Sequence, residues 1–153
     1  GKPKTMEINM PVKPENEDNQ TLVNNAVTIL LSGDNKIYWY YGELKKETTL
    51  TPTSYAPDGL RKLLLEKNNR AYEAIKQLRE QAAKVNMPDS TLKRLEVEKK
   101  GSKEALMVLV KADDKAVYKN VVDVLDELNI CLIGKYAIVD LGQQEYDLMQ
   151  AMK

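Results

Sequence analysis

Ala105-Leu106-Met107-Val108-Leu109-Val110 is an unbroken apolar run of strand length, and Asp113-Asp114 ends it. A run of this kind reads as a central β-strand buried on both faces of a sheet. Tyr118, Val121, Val122, Leu125 and Leu128 follow at helical spacing and mark the inner face of a helix that ends near Asn129. Tyr136-Ala137-Ile138-Val139-Asp140-Leu141 reads as the next strand, and Gln143 to Met152 as a short terminal helix. Residues 105–141 therefore predict a βαβ unit, with the right-handed crossover that such units adopt.

Upstream, Ala26-Val27-Thr28-Ile29-Leu30-Leu31 and Lys36-Ile37-Tyr38-Trp39-Tyr40-Tyr41 flank Ser32-Gly33-Asp34-Asn35. Two β-branched and aromatic runs around a Gly-Asp-Asn cluster predict a hairpin. Period-two alternation assigns Val27, Ile29 and Leu31 an inward role. Tyr38 and Tyr40 are then a candidate aromatic surface for stacking on sugars or anchoring an interface, with ordinary cross-strand packing as the alternative.

From Pro57-Asp58 the pattern turns helical. Leu60, Leu63, Leu64, Ala71, Ile75, Leu78 and Ala82 line one face of a predicted helix over 58–85, which Pro88 stops. Its other face interleaves both signs of charge, as a solvated face does. Residues 89–103 read as either a short helix or a loop. The fold class is thus α/β (α+β): a mixed sheet with a hairpin and a βαβ unit, two main helices packed on it and a short C-terminal helix.

Residues 1–25 hold three of the six prolines and the polar stretch Pro14 to Gln20, so a flexible linker is expected there and a single domain over 26–153. Met6, Ile8 and Met10 alternate before Pro11, a short strand-like pattern suited to pairing with a sheet edge. Gly1 stands where an initiator methionine is absent, which is read as the start of a segment cut from a longer protein. No apolar run approaches the roughly 18–20 residues that cross a bilayer.

Composition narrows function by exclusion. Lys+Arg and Asp+Glu are equal at 23 each, so bulk charge attracts neither nucleic acid nor anionic lipid. With no histidine, imidazole-based triads and metal sites are ruled out. The single cysteine, Cys131, lies in the apolar stretch Ile130 to Ile133 and reads as core. No phosphate-binding glycine loop or nucleophile elbow is found, and no cofactor is expected. Asp113 and Asp114 remain as a candidate Mg²⁺ pair for a small enzyme; the ordinary role for Asp113 is to cap the following helix.

Leu109-Val110-Lys111-Ala112-Asp113-Asp114-Lys115-Ala116-Val117-Tyr118-Lys119-Asn120-Val121-Val122-Asp123-Val124-Leu125-Asp126 resembles the ExbD/TolR biopolymer-transport family: an apolar strand, then Ala-Asp, a tyrosine step and Val-Val-Asp-Val-Leu. Met6-Glu7-Ile8-Asn9-Met10-Pro11 resembles the family's segment just after its membrane helix, with methionine in place of leucine. The motif residues Asp113, Tyr118, Val121, Val122, Asp123 and Leu125 serve folding: Asp113 starts the helix, Tyr118 and the valines cover the sheet, and Asp123 stays wet. Helix 58–85 and segment 89–103 exceed compact family members.

The resemblance implies a non-enzymatic periplasmic domain of a single-pass inner-membrane protein, joined to the membrane only through an N-terminal helix outside this sequence that carries an essential aspartate. It implies an ExbB/TolQ-like channel partner and a TonB/TolA-like transducer, contacted through sheet edges or through Met6, Ile8, Met10 and Pro11. Exposed edges predict a weak homodimer. A TolR-like role in envelope integrity, binding peptidoglycan, is the related alternative, and an aromatic surface would favour it.

Overall fold

The computed structural model describes residues 10–15 and 18–153. Its frame is a five-stranded mixed sheet in the order β3-β2-β1-β4-β5. β1 (Ala26–Leu31) lies at the centre, antiparallel to β2 (Ile37–Tyr41) and parallel to β4 (Met107–Ala112). β3 (Thr51–Thr53) extends one edge antiparallel to β2, and β5 (Lys135–Ile138) extends the other parallel to β4. The expected hairpin and the parallel strand–helix–strand unit are both present. The hairpin closes through Asp34 and Asn35, whose φ angles of 59° and 58° give the turn that matches the natural twist of paired strands.

The helices depart from expectation at one point. In place of a continuous helix over 58–85, a kinked turn (Pro57–Arg61), in which Gly59 leaves helical geometry at φ −95° and ψ −106°, leads into α2 (Lys62–Lys67), and α3 (Asn69–Lys84) starts after a break at Asn68. Asn68 is buried and is the cause of the break. Its Nδ2 donates to the Cys131 carbonyl at 3.1 Å, and its Oδ1 accepts from the Leu106 backbone N–H at 3.0 Å. One amide thereby satisfies two backbone groups of separate elements that burial would otherwise leave unpaired. Residues 89–103 are mostly helix: α4 (Asp89–Lys100) folds back along α3, with Arg79 paired to Glu96 between them.

α5 (Tyr118–Ile130) connects β4 to β5, and Val124 and Leu128 are its buried apolar residues. These two join Val27, Ile29, Leu31, Ile37, Val108 and Val110 from the sheet and Leu60, Leu63 and Leu64 from the α2 region in the main core. Cys131 is fully buried there, and burial pushes its thiol up to about 11, as a core cysteine should be.

The sheet's second face is covered by the two ends of the chain. α1 (Asn19–Asn24) places Leu22 on Ala26, Met107, Leu109 and Ala137. α6 (Gln143–Ala151) places Met149 on Leu30, Tyr38, Tyr40 and Leu50. Where a flexible linker is expected through residue 25, the described residues are therefore helical at 19–24 and packed at Leu22.

Residues 10–15 are docked as well. Val12 is buried, its N–H donating to the Gly134 carbonyl at 3.2 Å, and the Glu15 N–H donates to the Gly101 carbonyl at 2.8 Å. Gly101 and Gly134 make the notch that receives this segment. A Cβ on Gly134 would stand 2.4 Å from Val12 Cγ2, and one on Gly101 would stand 2.5 Å from the Lys13 carbonyl oxygen.

Candidate partner-contact surfaces

Asp113 is not the cap of α5. Its Oδ1 accepts from the backbone N–H groups of Lys115 and Ala116 at 2.9 and 3.1 Å, and its Oδ2 accepts from the Ser32 hydroxyl at 2.5 Å. It thus closes an Asx-type turn ahead of the helix and ties that turn to the end of β1. The helix itself begins five residues later, at Tyr118, and Asn120 Oδ1 accepts from the N–H of its cap residue Val117 at 3.0 Å. Asp114 is exposed beside Asp113 and Asp140 in an open cleft of about 500 Å³. Among the described residues, no group of three or more metal-ligating side chains comes together.

Tyr118 does not cover the sheet. It is 82% exposed, and Val117 beside it is 56% exposed, so α5 presents an apolar pair to solvent at its start. The register explains this: Asn120, Val124 and Leu128 hold the four-residue spacing that faces inward, and Tyr118 falls on another side. Val121 and Leu125 pack at the margin of the main core, Val122 is half-buried, and Asp123 pairs with Lys119 at 2.7 Å on the surface.

Tyr38 and Tyr40 do not form an aromatic surface either. Each is only 5% exposed because α6 lies on them. The Tyr40 hydroxyl donates to Glu145 Oε2 at 2.7 Å, and burial first, then the nearby carboxylate, pushes its ionisation above the ordinary phenol range. An aromatic-cation cluster lies instead at Tyr41, which is exposed, and Trp39, which is half-buried against the main core. Lys67 Nζ sits 4.7 Å from the Tyr41 ring centre and 5.9 Å from that of Trp39. The alternation of β2 contained this signal, since positions 39 and 41 share a face, but not the identity of the cation.

Met6 and Ile8 lie outside the described residues. Met10 is half-buried against the α1 side of the sheet and Pro11 is exposed. The two sheet edges differ. β3 is three residues long and contains Pro52, which blunts it against pairing. β5 ends the sheet on the other side and carries Ile138, 58% exposed. The clefts of the described surface are open and polar. One of about 490 Å³ is lined by Asn25, Glu66, Lys67, Asn69, Arg70, Lys103 and Glu104.

The described chain is thus an α/β domain: a five-stranded mixed sheet clad in helices, with open clefts on its surface. The family described as biopolymer transport protein ExbD/TolR matches residues 1–141, nearly the whole chain. The chain belongs to the ExbD/TolR family, whose members are non-catalytic transport proteins. No curated protein and no solved structure matches it. Membership is consistent with a periplasmic coupling role, and no helix among the described residues is long and apolar enough to cross a membrane.

Proposed function

We propose that this domain is the periplasmic transmission part of an ExbD-like inner-membrane protein that couples proton-motive force to a TonB-type transducer for outer-membrane transport. The family match over residues 1–141 carries the reading. It is supported by the docked segment at residues 10–15, which joins the folded body to the side of the chain where the family's membrane helix lies. The partners are an ExbB/TolQ-like channel protein, a second copy of the domain and a TonB/TolA-like transducer. The β5 edge, with exposed Ile138, is the sheet edge suited to receiving an extended segment. For the TolR-like alternative, the covered Tyr38 and Tyr40 offer no aromatic surface, and the aromatic feature that would favour it is at Trp39 and Tyr41 instead.

The test uses the full-length parent protein. Co-purification with the ExbB/TolQ-type subunit, and cross-linking of an Ile138→Cys variant to the transducer's periplasmic segment, are the expected results. Normal outer-membrane uptake in a strain lacking the gene and any paralogue would overturn the reading. Sedimentation showing only monomer at high concentration would remove the homodimer.

A further inference from the structure

Tyr55 carries the one buried side-chain polar atom among the described residues that has no hydrogen-bond partner, its hydroxyl oxygen. Its ring is half-buried at the margin of the main core. Native structures rarely leave a buried polar atom unmatched, because burial removes its water and returns nothing. The position of Tyr55 is nevertheless fixed. The Ser54 carbonyl accepts from the Leu60 N–H at 3.0 Å, and the Ser54 hydroxyl accepts from the Ala56 N–H at 3.3 Å. A Cβ on Gly59 would stand 2.5 Å from both Ser54 oxygens, so this closure requires glycine there. Arg61 then ties the kinked turn to α5 through two bonds to Glu127, at 2.8 and 2.9 Å.

Tyr55 lines a cleft of about 310 Å³ together with Lys119, Asp123, Asp126 and Glu127 of α5. Burial first, then the Asp123 charge, pushes the Tyr55 phenol up to about 12, so the hydroxyl feels that carboxylate without bonding to it. The three carboxylates are not equally free. Both Glu127 oxygens accept from Arg61, and Asp123 Oδ2 accepts from Lys119 at 2.7 Å. The other Asp123 oxygen and the exposed Asp126 carboxylate have no partner among the described residues. Arg61 and Lys119 thus offset two of three carboxylates, and one negative charge is left beside the Tyr55 hydroxyl.

We infer that this cleft receives one arginine side chain of a partner polypeptide, its guanidinium donating to the Tyr55 hydroxyl and to Asp123 and Asp126. One cation matches the one uncompensated charge. A planar group with several N–H donors reaches separate acceptors at once, and it is more weakly hydrated than an ammonium, so it enters a site with a buried hydroxyl more readily. The hydroxyl accepts and turns its own proton to suit. The cleft is open and lies at the lower end of the size range of ligand pockets, so it holds the end of a side chain but does not enclose a free small molecule. Taking a polypeptide as the source rests on the partner-contact reading above.

The test is an NMR titration of the ¹⁵N-labelled 153-residue chain with acetyl-Gly-Arg-Gly-amide. The same peptide with citrulline in place of arginine, and putrescine, are the comparisons. Saturable shifts at the amides of Tyr55, Asp123 and Asp126 are expected with the arginine peptide, weaker by about fivefold or more with citrulline, which keeps the shape but not the charge. Tyr55→Phe should weaken binding about fivefold or more while the melting temperature stays equal or rises, because the variant removes an unmatched buried oxygen. Asp126→Asn should also weaken binding, whereas Asp114→Asn, on a different open cleft, should not. A lower melting temperature for Tyr55→Phe would assign the hydroxyl to the fold through bound water and overturn the inference. So would the absence of saturable shifts, equal binding of the citrulline peptide, or an equal effect of Asp114→Asn and Asp126→Asn. Putrescine bound as tightly as the arginine peptide would make this a site for free amines and overturn it too. None of these results bears on co-purification with the channel subunit, so the two readings fail separately.

Discussion

Glu145→Leu should destabilise the domain far more than a change on a short terminal helix normally does. Glu145 is 1% exposed, and its carboxylate accepts from Lys111 Nζ at 2.9 and 2.8 Å, from the Tyr40 hydroxyl at 2.7 Å and from the Gly142 N–H at 2.9 Å. Lys111 projects from β4 under α6 and is itself only 8% exposed. Removing the carboxylate strands an ammonium group in a site with little water, at a cost of about 3–5 kcal/mol. Removing both charges, as in Lys111→Met with Glu145→Leu, deletes the desolvation penalty along with the attraction. That double variant should lie within about 1–2 kcal/mol of the parent, so the coupling between the positions should exceed about 2 kcal/mol. Urea unfolding of parent, both singles and the double gives this directly. The Glu145→Leu single should also melt roughly 10 °C lower, from about 2–4 °C per kcal/mol for a domain of this size. Glu145→Gln removes the charge but keeps a single acceptor oxygen, and Tyr40 and Gly142 donate to opposite carboxylate oxygens, so it should cost the ion pair together with one of these two hydrogen bonds. Single costs below about 1 kcal/mol that simply add in the double would refute the argument that this pair pins α6 to the sheet.

Asn68→Ala should cost about 3 kcal/mol in the same assay, because it leaves the Leu106 N–H and the Cys131 carbonyl without their buried partner; a loss under about 1 kcal/mol would show that the break between α2 and α3 has another cause. Gly134→Val should displace Val12 and open residues 10–15 to limited proteolysis while the sheet stays folded, and unchanged cleavage would mean that the notch does not hold the segment. Stability should fall as pH rises from about 9 to 11. The Cys131 thiol, pushed up to about 11 by burial, stays protonated in the folded state while the unfolded state has already released its proton, so its contribution is complete below the unfolded value and lost through the folded one. The loss over that range is about 3 kcal/mol at most, and Cys131→Ala should flatten that slope; an equal slope in the variant would assign it elsewhere. Tyr118→Ala, 82% exposed, should change stability by less than about 0.5 kcal/mol, and a larger loss would contradict its placement in solvent.

The sequence carried what is periodic and local. The run at 105–110 pointed to a central strand, since six consecutive apolar side chains suit a strand buried on both faces, and β4 forms over Met107–Ala112. The alternation at 27, 29 and 31 placed three side chains in the main core, and the Gly-Asp-Asn cluster closed the hairpin with the turn its composition allows. The motif around Asp113 to Asp126 was enough to point to the family that matches residues 1–141.

What only the tertiary structure decided is which polar group meets which partner and what covers the second face. Glu145 reads locally as an acid in the first turn of a helix, and only the placement of α6 over β4 and β2 makes it the partner of Lys111 and Tyr40. Asn68 reads as one more polar residue in a helical run until Leu106 and Cys131 are brought to it. Tyr38 and Tyr40 alternate as a surface pair would, and their burial follows from a helix about 105 positions away. Periodicity is set by backbone geometry within a few residues, whereas these contacts depend on how distant segments are stacked, which no local pattern encodes.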